Sequence, residues 1–360
     1  MEPPQITEVD GIRDMRIERV EALARPSDLL AELPLPPASA ELVLRGRAEA
    51  GAVLRGEDDR LLVVVGPCSV HDPAAAGEYA ERLAARAGEL SGDLLVVMRV
   101  YFEKPRTTTG WKGLINDPHL DGSGDVNTGL HMARELLLRV LDLGLPAGCE
   151  WLDPITPQYI ADTVSWGAIG ARTTESQIHR QLGSGLSMPV GFKNGTDGGV
   201  QVAIDAVRAA ASSHSFTGID PMGTPAILHT SGNADAHVIL RGGRDAPNFE
   251  PEPVADALAR LEEVGLPARL IVDASHDNSR KDPARQLEVA GSIADQVGAG
   301  SRGIVGVMLE SFLLEGRQDL SDGELVHGRS ITDACIDWPS TSEVLDRLAE
   351  SVRERRERDA

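Results

Sequence analysis

Aromatic residues, cysteines and long apolar runs are all scarce in this chain of 360 residues. Aromatics make up only 3% of it, so the core must be built mainly from Leu, Val, Ile and Ala, which suits buried parallel strands. Cys68, Cys149 and Cys335 are too few, and odd in number, for a disulfide framework. No stretch approaches the roughly 20 apolar residues that a spanning helix needs, and the acidic start MEPPQITEVDG does not resemble a signal peptide. We therefore expect a cytoplasmic protein with no membrane partner.

Basic residues are also in short supply. Lys and Arg number 35 against 56 Asp and Glu, which gives a formal net charge of −21. This balance excludes nucleic acid as a general partner, because a phosphate backbone requires a basic surface. It does not exclude small phosphorylated substrates, since a local cluster of Arg and Lys can hold them inside an acidic protein.

Short aliphatic runs alternate with longer amphipathic stretches from residue 61 onward. Eight runs are candidate strands: 61–69, 94–102, 146–153, 165–172, 189–195, 237–243, 268–276 and 303–311. Eight strand–helix units over about 250 residues predict an α/β fold, the (β/α)₈ TIM barrel. A doubly wound sheet is the alternative, but no GxGxxG motif follows the first strand to support it.

Two segments fall outside the alternation. Residues 1–50 are expected to form an N-terminal regulatory or oligomerisation extension, and residues 51–355 the catalytic barrel. Residues 216–240 contain Gly, Pro, two short aliphatic runs and the turn-like SGNADAH. This pattern predicts a β-hairpin inserted before the sixth strand.

Polar side chains gather where the predicted strands end. They are Cys68, Arg99, Glu150, Arg172, Lys193, Arg241, His276 and Glu310. A single charge at a strand end is usually a surface cap, but polar residues at all eight ends are not explained in that way. The carboxyl ends of barrel strands converge on one mouth, where active sites form.

These residues and their neighbours divide into two sets. The cations are Arg99, Lys104, Arg106, Arg172, Lys193 and Arg241. Since they would repel one another at close range, their convergence predicts an anionic ligand. The second set is Cys68, His276 and Glu310, whose thiolate, imidazole and carboxylate suit a divalent transition metal once a further carboxylate completes it. The long spacing leaves open that Cys68 is only a small buried apolar residue.

Several long motifs then permit a comparison with a known family. They are GPCSVHDP (66–73), RVYFEKPRTTTGWKGLINDP (99–118), the run from Gly167 to Gly198, HVILRGG (237–243) and SITDACIDW (330–338). The chain resembles the class I 3-deoxy-D-arabino-heptulosonate 7-phosphate (DAHP) synthases, in the branch regulated by aromatic amino acids. This resemblance extends from about residue 14 to about residue 355.

The resemblance implies the first step of the shikimate pathway, the condensation of phosphoenolpyruvate with erythrose 4-phosphate. Carried over to this chain, it implies one divalent ion (Mn²⁺, Fe²⁺, Co²⁺ or Zn²⁺) on Cys68, His276, Glu310 and Asp333. It implies a phosphoenolpyruvate site formed by Arg99, Lys104, Ala171, Arg172, Lys193 and Arg241, with help from Glu150. Pro105, Arg106 and Thr107 would hold erythrose 4-phosphate. Lys104, His276 and Glu150 are the candidate acid–base residues.

The resemblance also implies feedback inhibition and a homodimer or homotetramer. The segment EVDGIRDMRIERVEAL resembles the family's regulatory extension, and Asp153, Gln158, Ser187 and Phe216 match positions that line the effector pocket. Pro154 and Met188 are more similar to the tyrosine-regulated members, so tyrosine is the favoured effector.

Two other functions remain to be weighed. A 3-deoxy-D-manno-octulosonate 8-phosphate synthase would share the barrel but take a five-carbon sugar phosphate, and its loop differs from the KPRTT motif at 104–108. A catalytically silent homologue is the alternative outside enzymes. Retention of the complete set of ligands and of Lys104 argues against it.

Overall fold

The computed structural model describes residues 14–106 and 110–360, apart from the side chain of Asp322. Its ten strands are β1 (Leu61–Gly66), β2 (Leu94–Arg99), β3 (Ala147–Glu150), β4 (Trp166–Ile169), β5 (Val190–Lys193), β6 (Ser215–Ile219), β7 (Pro225–His229), β8 (His237–Leu240), β9 (Leu270–Asp273) and β10 (Ile304–Glu310). Eight of them close into a parallel barrel in the order β1-β2-β3-β4-β5-β8-β9-β10. The predicted TIM barrel is confirmed, and each of the eight predicted strands takes part in it.

Helices cover the outside of this barrel. They are α1 (Pro26–Glu32), α2 (Pro37–Arg55), α3 (Pro73–Glu89), α4 (Val126–Asp142), α5 (Pro157–Ile160), α6 (Gln177–Gly185), α7 (Gln201–Ala210), α8 (Pro251–Glu263), α9 (Pro283–Gly298) and α10 (Trp338–Asp359). Several of them begin at a helix-start signal in the sequence, an Asp at the N-cap followed by a Pro in the first turn. Asp72, for example, accepts hydrogen bonds from the backbone N–H groups of Ala74 and Ala75. In the described parts of the chain, no helix is long and apolar enough to cross a membrane.

The barrel strands are buried on both faces, which explains their continuous aliphatic sequence. Successive side chains of β1 point to opposite sides. Val63 and Val65 pack in the layer between the sheet and the helices, whereas Leu62 and Val64 belong to the cluster inside the barrel. Both environments are apolar, so the strand needs no polar alternation.

Helix α2 closes the amino-terminal end of the barrel. Its residues Val53 and Leu54 join the cluster inside the barrel. Gly46, about two turns earlier, lies against the side chains of Pro146 and Ser165, which precede β3 and β4. The helix therefore runs across residue 50, the predicted boundary between extension and barrel, and that boundary remains a prediction. Because apolar side chains of α2 cover this end, the polar residues predicted for the site lie at the opposite end of the barrel.

The predicted insertion before the sixth barrel strand is a two-stranded hairpin. β6 and β7 pair antiparallel between α7 and β8, with Thr217 opposite Ile227. The first turn of α1 contacts this hairpin, because the backbone N–H of Ser27 donates to the carbonyl of Pro221 at 2.8 Å. The hairpin thus connects the N-terminal segment to the catalytic barrel.

Candidate active site

The carboxyl ends of the strands enclose a cavity of about 250 Å³, referred to below as the mouth cavity. Its lining consists of Lys104, Pro105, Arg106, Glu150, Gly170, Ala171, Arg172, Lys193, Arg241, His276, Lys281, Thr332 and Asp333. Nine of the residues predicted to bind substrate or to act as acid or base, His276 among them, are therefore neighbours in space, and the predicted metal ligand Asp333 adjoins them. Thr107 lies outside the described residues.

A second feature of the mouth is a group of metal-type donors. Cys68 follows β1, Glu310 ends β10, and Asp333 comes from the long loop before α10. Their Sγ and carboxylate oxygens all lie within 4.8 Å of one another. Burial and the charge of Glu310 raise the pKa of the Cys68 thiol. Three such donors in a buried place suit a divalent ion, which would favour the thiolate.

Cys68 reaches this position because β1 and β2 approach closely at their ends. A Cβ on Gly66 would lie 2.4 Å from the backbone oxygen of Arg99. A larger residue would therefore push the strands apart just before the turn that carries Cys68. The glycine in the GPC sequence has a steric role that supports the site.

His276 lies beside the three donors. One ring nitrogen faces them, and the other is held by Asp273 and Ser275. Its Nε2 lies 3.6 Å from Oε1 of Glu310, and its Nδ1 lies 2.8 Å from Oδ2 of Asp273. Ser275 Oγ is also 2.7 Å from Nδ1. Burial lowers the pKa of His276. A neutral imidazole oriented by a carboxylate is the usual form of a histidine ligand. Its φ of +52° is rare for a residue other than glycine and fixes the ring's direction.

Asp273 is a functional residue that sequence reasoning missed. It ends the apolar run LIVD of β9 and is fully buried. Besides His276, it accepts a hydrogen bond of 2.8 Å from Nζ of Lys193. Burial alone would raise its pKa, but His276 and Lys193 hold it well below the ordinary value. A charge at the end of an apolar strand is the available signal in the sequence, but it does not reveal the partners of the carboxylate.

Two lysines lie against the donor group. Lys104 Nζ is 3.0 Å from Sγ of Cys68, and Lys281 Nζ is 3.0 Å from Oδ1 of Asp333. Burial alone would lower the pKa of Lys104, but attraction to Cys68 and Glu310 raises it. Lys281 was not among the predicted residues. Each ammonium group balances negative charge where a metal ion would otherwise do so.

Arg99 lies beneath the mouth cavity and is not part of its lining. Its side chain is fully buried, and NH2 donates to Oε1 of Glu310 at 2.9 Å and to the carbonyl of Cys68 at 3.0 Å. The guanidinium group also stacks 3.6 Å from the ring centre of Tyr101. In this structure Arg99 positions the donor group from below.

The remaining cations line one wall of the mouth cavity. Arg241 forms an ion pair with Asp277 through NH1, and its Nε is buried with no hydrogen-bond partner among the described residues. Glu150 faces the same space and approaches Gly170 so closely that a Cβ there would lie 2.2 Å from its Oε1. A wall of cations with a carboxylate nearby can orient an anion that also carries a hydroxyl or water.

The four residues predicted for the effector pocket lie on separate elements. Asp153 lines a cavity of about 340 Å³ beneath residues 21–23, whereas Ser187 lines another of about 400 Å³ near the base of the hairpin. Phe216 lies in β6 opposite Leu228, and Gln158 lies in α5. Their joint role in one pocket stays a prediction.

Comparisons with known proteins agree on one family. The model of the DAHP synthetase I family matches residues 38–346. The Phe-sensitive phospho-2-dehydro-3-deoxyheptonate aldolase of Escherichia coli (strain K12) is 54% identical over 344 residues, 95% of this chain and 98% of that protein. The Tyr-sensitive enzyme of the same strain is 51% identical over 345 residues, with 95% and 97% covered. The solved phospho-2-dehydro-3-deoxyheptonate aldolase of Francisella tularensis SCHU S4 superposes with a TM-score of 0.93 at 49% identity, covering 94% of this chain and 99% of that one.

Glu103 precedes Lys104 and connects the mouth to the loop after β3. It is buried, with an exposed fraction of 3%, and accepts hydrogen bonds from the backbone of Asp153 and the side chain of Thr156. Burial, with repulsion from Asp153 and Glu150, raises its pKa to about 8. Between the ordinary value of 4.5 and about 8, the folded protein retains a proton that the unfolded chain releases. Glu103 therefore makes the protein less stable as the pH rises through this window.

The substitution Glu103→Gln should remove this pH dependence. We expect the unfolding free energy of the variant, relative to the parent protein, to grow by something on the order of 3 kcal/mol from about pH 5 to about pH 8. Urea unfolding at several pH values measures the difference. Glu135→Gln, on an exposed part of α4, controls for loss of one carboxylate and should not reproduce the trend. A constant difference between parent and Glu103→Gln would contradict the assignment.

Proposed function

The chain belongs to the DAHP synthetase I family, and on that premise we propose how its mouth cavity performs the synthase reaction. It is a 3-deoxy-7-phosphoheptulonate synthase, which joins phosphoenolpyruvate, erythrose 4-phosphate and water to give DAHP and inorganic phosphate. This is the first step of the shikimate pathway. The observation that carries the proposal is the donor group Cys68–Glu310–Asp333 beside a cavity lined by cations.

Phosphoenolpyruvate takes the wall formed by Arg172, Lys193 and Arg241. Its phosphate and carboxylate are both anionic, and guanidinium groups bind such oxygens in bidentate fashion. The buried Nε of Arg241 has no partner among the described residues, which supports an anion at this wall. Ala171 lies at the same wall, where its backbone would add a donor. Arg99 contributes from below by holding Glu310.

Erythrose 4-phosphate enters from the opposite rim, at Pro105 and Arg106. Pro105 stiffens the loop, and Arg106 is a cation that lines the mouth cavity beside it. Its guanidinium lies against Gly110, where a Cβ would come within 2.8 Å of Nε. We assign the sugar phosphate to Arg106, with Thr107 as a further predicted contact.

A divalent ion fits the donor group, with Cys68, Glu310 and Asp333 as ligands and His276 beside them. When bound, such an ion supplies a Lewis acid for the aldehyde oxygen. Thiolate, imidazole and carboxylate accommodate Mn²⁺, Fe²⁺, Co²⁺ and Zn²⁺ alike, so the native metal is a matter for measurement.

The chain's own residues order the two substrates and move the protons. The methylene carbon of phosphoenolpyruvate attacks the aldehyde carbon, and the aldehyde oxygen takes a proton from Lys104, whose Nζ lies beside Cys68. Water then adds to the cationic enol carbon, and Glu150 accepts its proton, since a His276 that faces the ion with one ring nitrogen and Asp273 with the other has no lone pair left for this step. The resulting hemiketal phosphate expels inorganic phosphate by breaking its C–O bond. The phosphorus–oxygen bonds remain intact throughout.

Replacement of Lys104 tests the proton step. Lys104→Met should lower kcat by about 10²- to 10⁴-fold, because a positioned general acid contributes this much. Steady-state assays at saturating substrates measure the effect. Lys112→Met, in the same loop and exposed, is the matched control and should keep near-parental kcat. Near-normal turnover by Lys104→Met would contradict the assigned role.

Replacement of Cys68 tests the metal site. Titration of the apoprotein with Co²⁺ should give a thiolate-to-cobalt charge-transfer band that Cys68→Ser lacks, together with loss of turnover. Cys149→Ser removes an equally buried thiol that donates to the carbonyl of Val100, and should keep both signals. Full activity in the presence of a strong chelator, or an unchanged cobalt band in Cys68→Ser, would refute the ligand assignment.

An aromatic amino acid inhibits the enzyme, and we propose tyrosine as the favoured effector. Family members named Phe-sensitive and Tyr-sensitive are almost equally similar to this chain, so overall identity does not decide between them. Initial rates with each of Phe, Tyr and Trp should show the lowest half-inhibitory concentration for Tyr. A lower value for Phe or Trp would overturn the choice. The homodimer or homotetramer and the cytoplasmic location stay predictions.

A further inference from the structure

A second cavity adjoins the mouth cavity on the far side of its cationic wall. Its volume is about 490 Å³, and we call it the outer cavity. It is lined by Arg172, Thr196, Arg241, Gly243, Arg244, Asp245, Ala246, Pro247, Asp277, Arg280 and Lys281. Arg172, Arg241 and Lys281 line both cavities. The two spaces are therefore separated by side chains that can contact a ligand in either one.

The charge of the outer cavity is opposite to that of the whole chain. Five of its lining side chains are cations and two are carboxylates. One of the carboxylates, Asp277, is already paired with Arg241. In a chain of net charge −21, a local excess of cations around a concave surface concentrates anions there.

Backbone contacts fix the loops that carry the outer cations, while the side chains of Arg244 and Arg280 are exposed. Gly243 packs directly on Gly198, since a Cβ on Gly243 would lie 2.4 Å from the Cα of Gly198. The backbone N–H of Arg244 donates to the carbonyl of Thr196 at 3.0 Å, which joins the two loops. On the other side, Arg280 and Lys281 have φ values of +54° and +60°. Two consecutive non-glycine residues in this region are unusual and often mark functional sites.

Arg241 connects the two cavities chemically. Its side chain is only 4% exposed, and its Nε is buried with no hydrogen-bond partner among the described residues. An unpaired buried donor on the dividing wall points to a ligand, because leaving it unsatisfied costs free energy. Lys281 also faces both cavities, but its Nζ is engaged with Asp333.

We propose that the outer cavity is a binding site for the inorganic phosphate product. The inference rests on the proposed function, which leaves a phosphate anion on Arg172 and Arg241 after the C–O bond breaks. The anion can move from the mouth cavity into the outer cavity while it stays in contact with Arg172 and Arg241, because these two side chains line both cavities. Arg244 and Arg280 then receive it, and the mouth cavity is free for the next phosphoenolpyruvate.

The experiment measures phosphate binding while phosphoenolpyruvate fills the mouth cavity. Holoenzyme with Mn²⁺ and saturating phosphoenolpyruvate, without erythrose 4-phosphate, is titrated with inorganic phosphate by calorimetry. In addition to any phosphate held by Arg106, whose sugar phosphate is left out, the parent protein should bind one phosphate per chain in the outer cavity. The double variant Arg244→Gln/Arg280→Gln should bind it at least about tenfold more weakly, because charge-assisted contacts are lost. It should retain parental affinity for phosphoenolpyruvate, which also reports its folding.

A matched variant controls for the loss of two positive charges. Arg45→Gln/Arg82→Gln alters exposed arginines on α2 and α3 and should bind phosphate like the parent. The sugar phosphate is the other possible source of the anion, so KM for erythrose 4-phosphate is measured in parallel. We expect it to be unchanged in Arg244→Gln/Arg280→Gln, while phosphate inhibits that variant at least about tenfold less strongly than the parent.

Three results would overturn this proposal while leaving the proposed function intact. Phosphate that binds only by displacing phosphoenolpyruvate would mean that the outer cavity is not a site. Equal phosphate affinity in Arg244→Gln/Arg280→Gln and the parent would also mean that the outer cavity is not a phosphate site. A rise of about tenfold in the variant's KM for erythrose 4-phosphate would assign the cavity to that substrate instead. Failure of phosphoenolpyruvate itself to bind would instead refute the proposed function, and this inference with it.

Discussion

Two buried ion pairs hold the mouth of the barrel, and most of the site depends on them. Arg99 pairs with Glu310 at 2.9 Å, and Lys193 pairs with Asp273 at 2.8 Å. All four side chains are almost completely buried. Removing one partner of such a pair typically costs about 3–5 kcal/mol, because the other charge is left unpaired. These residues must therefore stay together for the barrel to be stable, and each pair holds a carboxylate next to His276.

The pairs also explain how an acidic protein can present cations to an anionic substrate. Glu310 and Asp273 compensate the charges of Arg99 and Lys193, while Arg241 lines both cavities and its Nε has no hydrogen-bond partner among the described residues. The same carboxylates orient His276 from both sides. Substrate binding and metal binding thus share one electrostatic framework. Replacing either partner of a pair should therefore weaken both substrate binding and metal binding.

Much of this arrangement could be predicted from the sequence, because the strongest signals are local. Each aliphatic run forms a barrel strand, and the Gly- and Pro-containing segment before the sixth barrel strand forms a hairpin. The partners of the charged residues could not be predicted in this way. In the sequence, Asp273 is only a charge at the end of a strand. In the structure it contacts both His276 and Lys193, and Lys193 lies 80 positions earlier in the chain than Asp273. Arg99 is predicted to bind phosphoenolpyruvate, but its hydrogen bonds to Cys68 and Glu310 could not be predicted, because they depend on barrel closure. The unusual backbone of Arg280 and Lys281 has no sequence signature.

The central claim is that this mouth joins phosphoenolpyruvate to erythrose 4-phosphate. Phosphorus NMR of the metal-loaded protein, with phosphoenolpyruvate and one sugar phosphate at a time, tests it most directly. With erythrose 4-phosphate, phosphoenolpyruvate should disappear and inorganic phosphate should appear in equal amounts. Neither amount should change when the sugar phosphate is omitted or replaced by arabinose 5-phosphate. Equal turnover with arabinose 5-phosphate, or no turnover with either sugar phosphate, would contradict it.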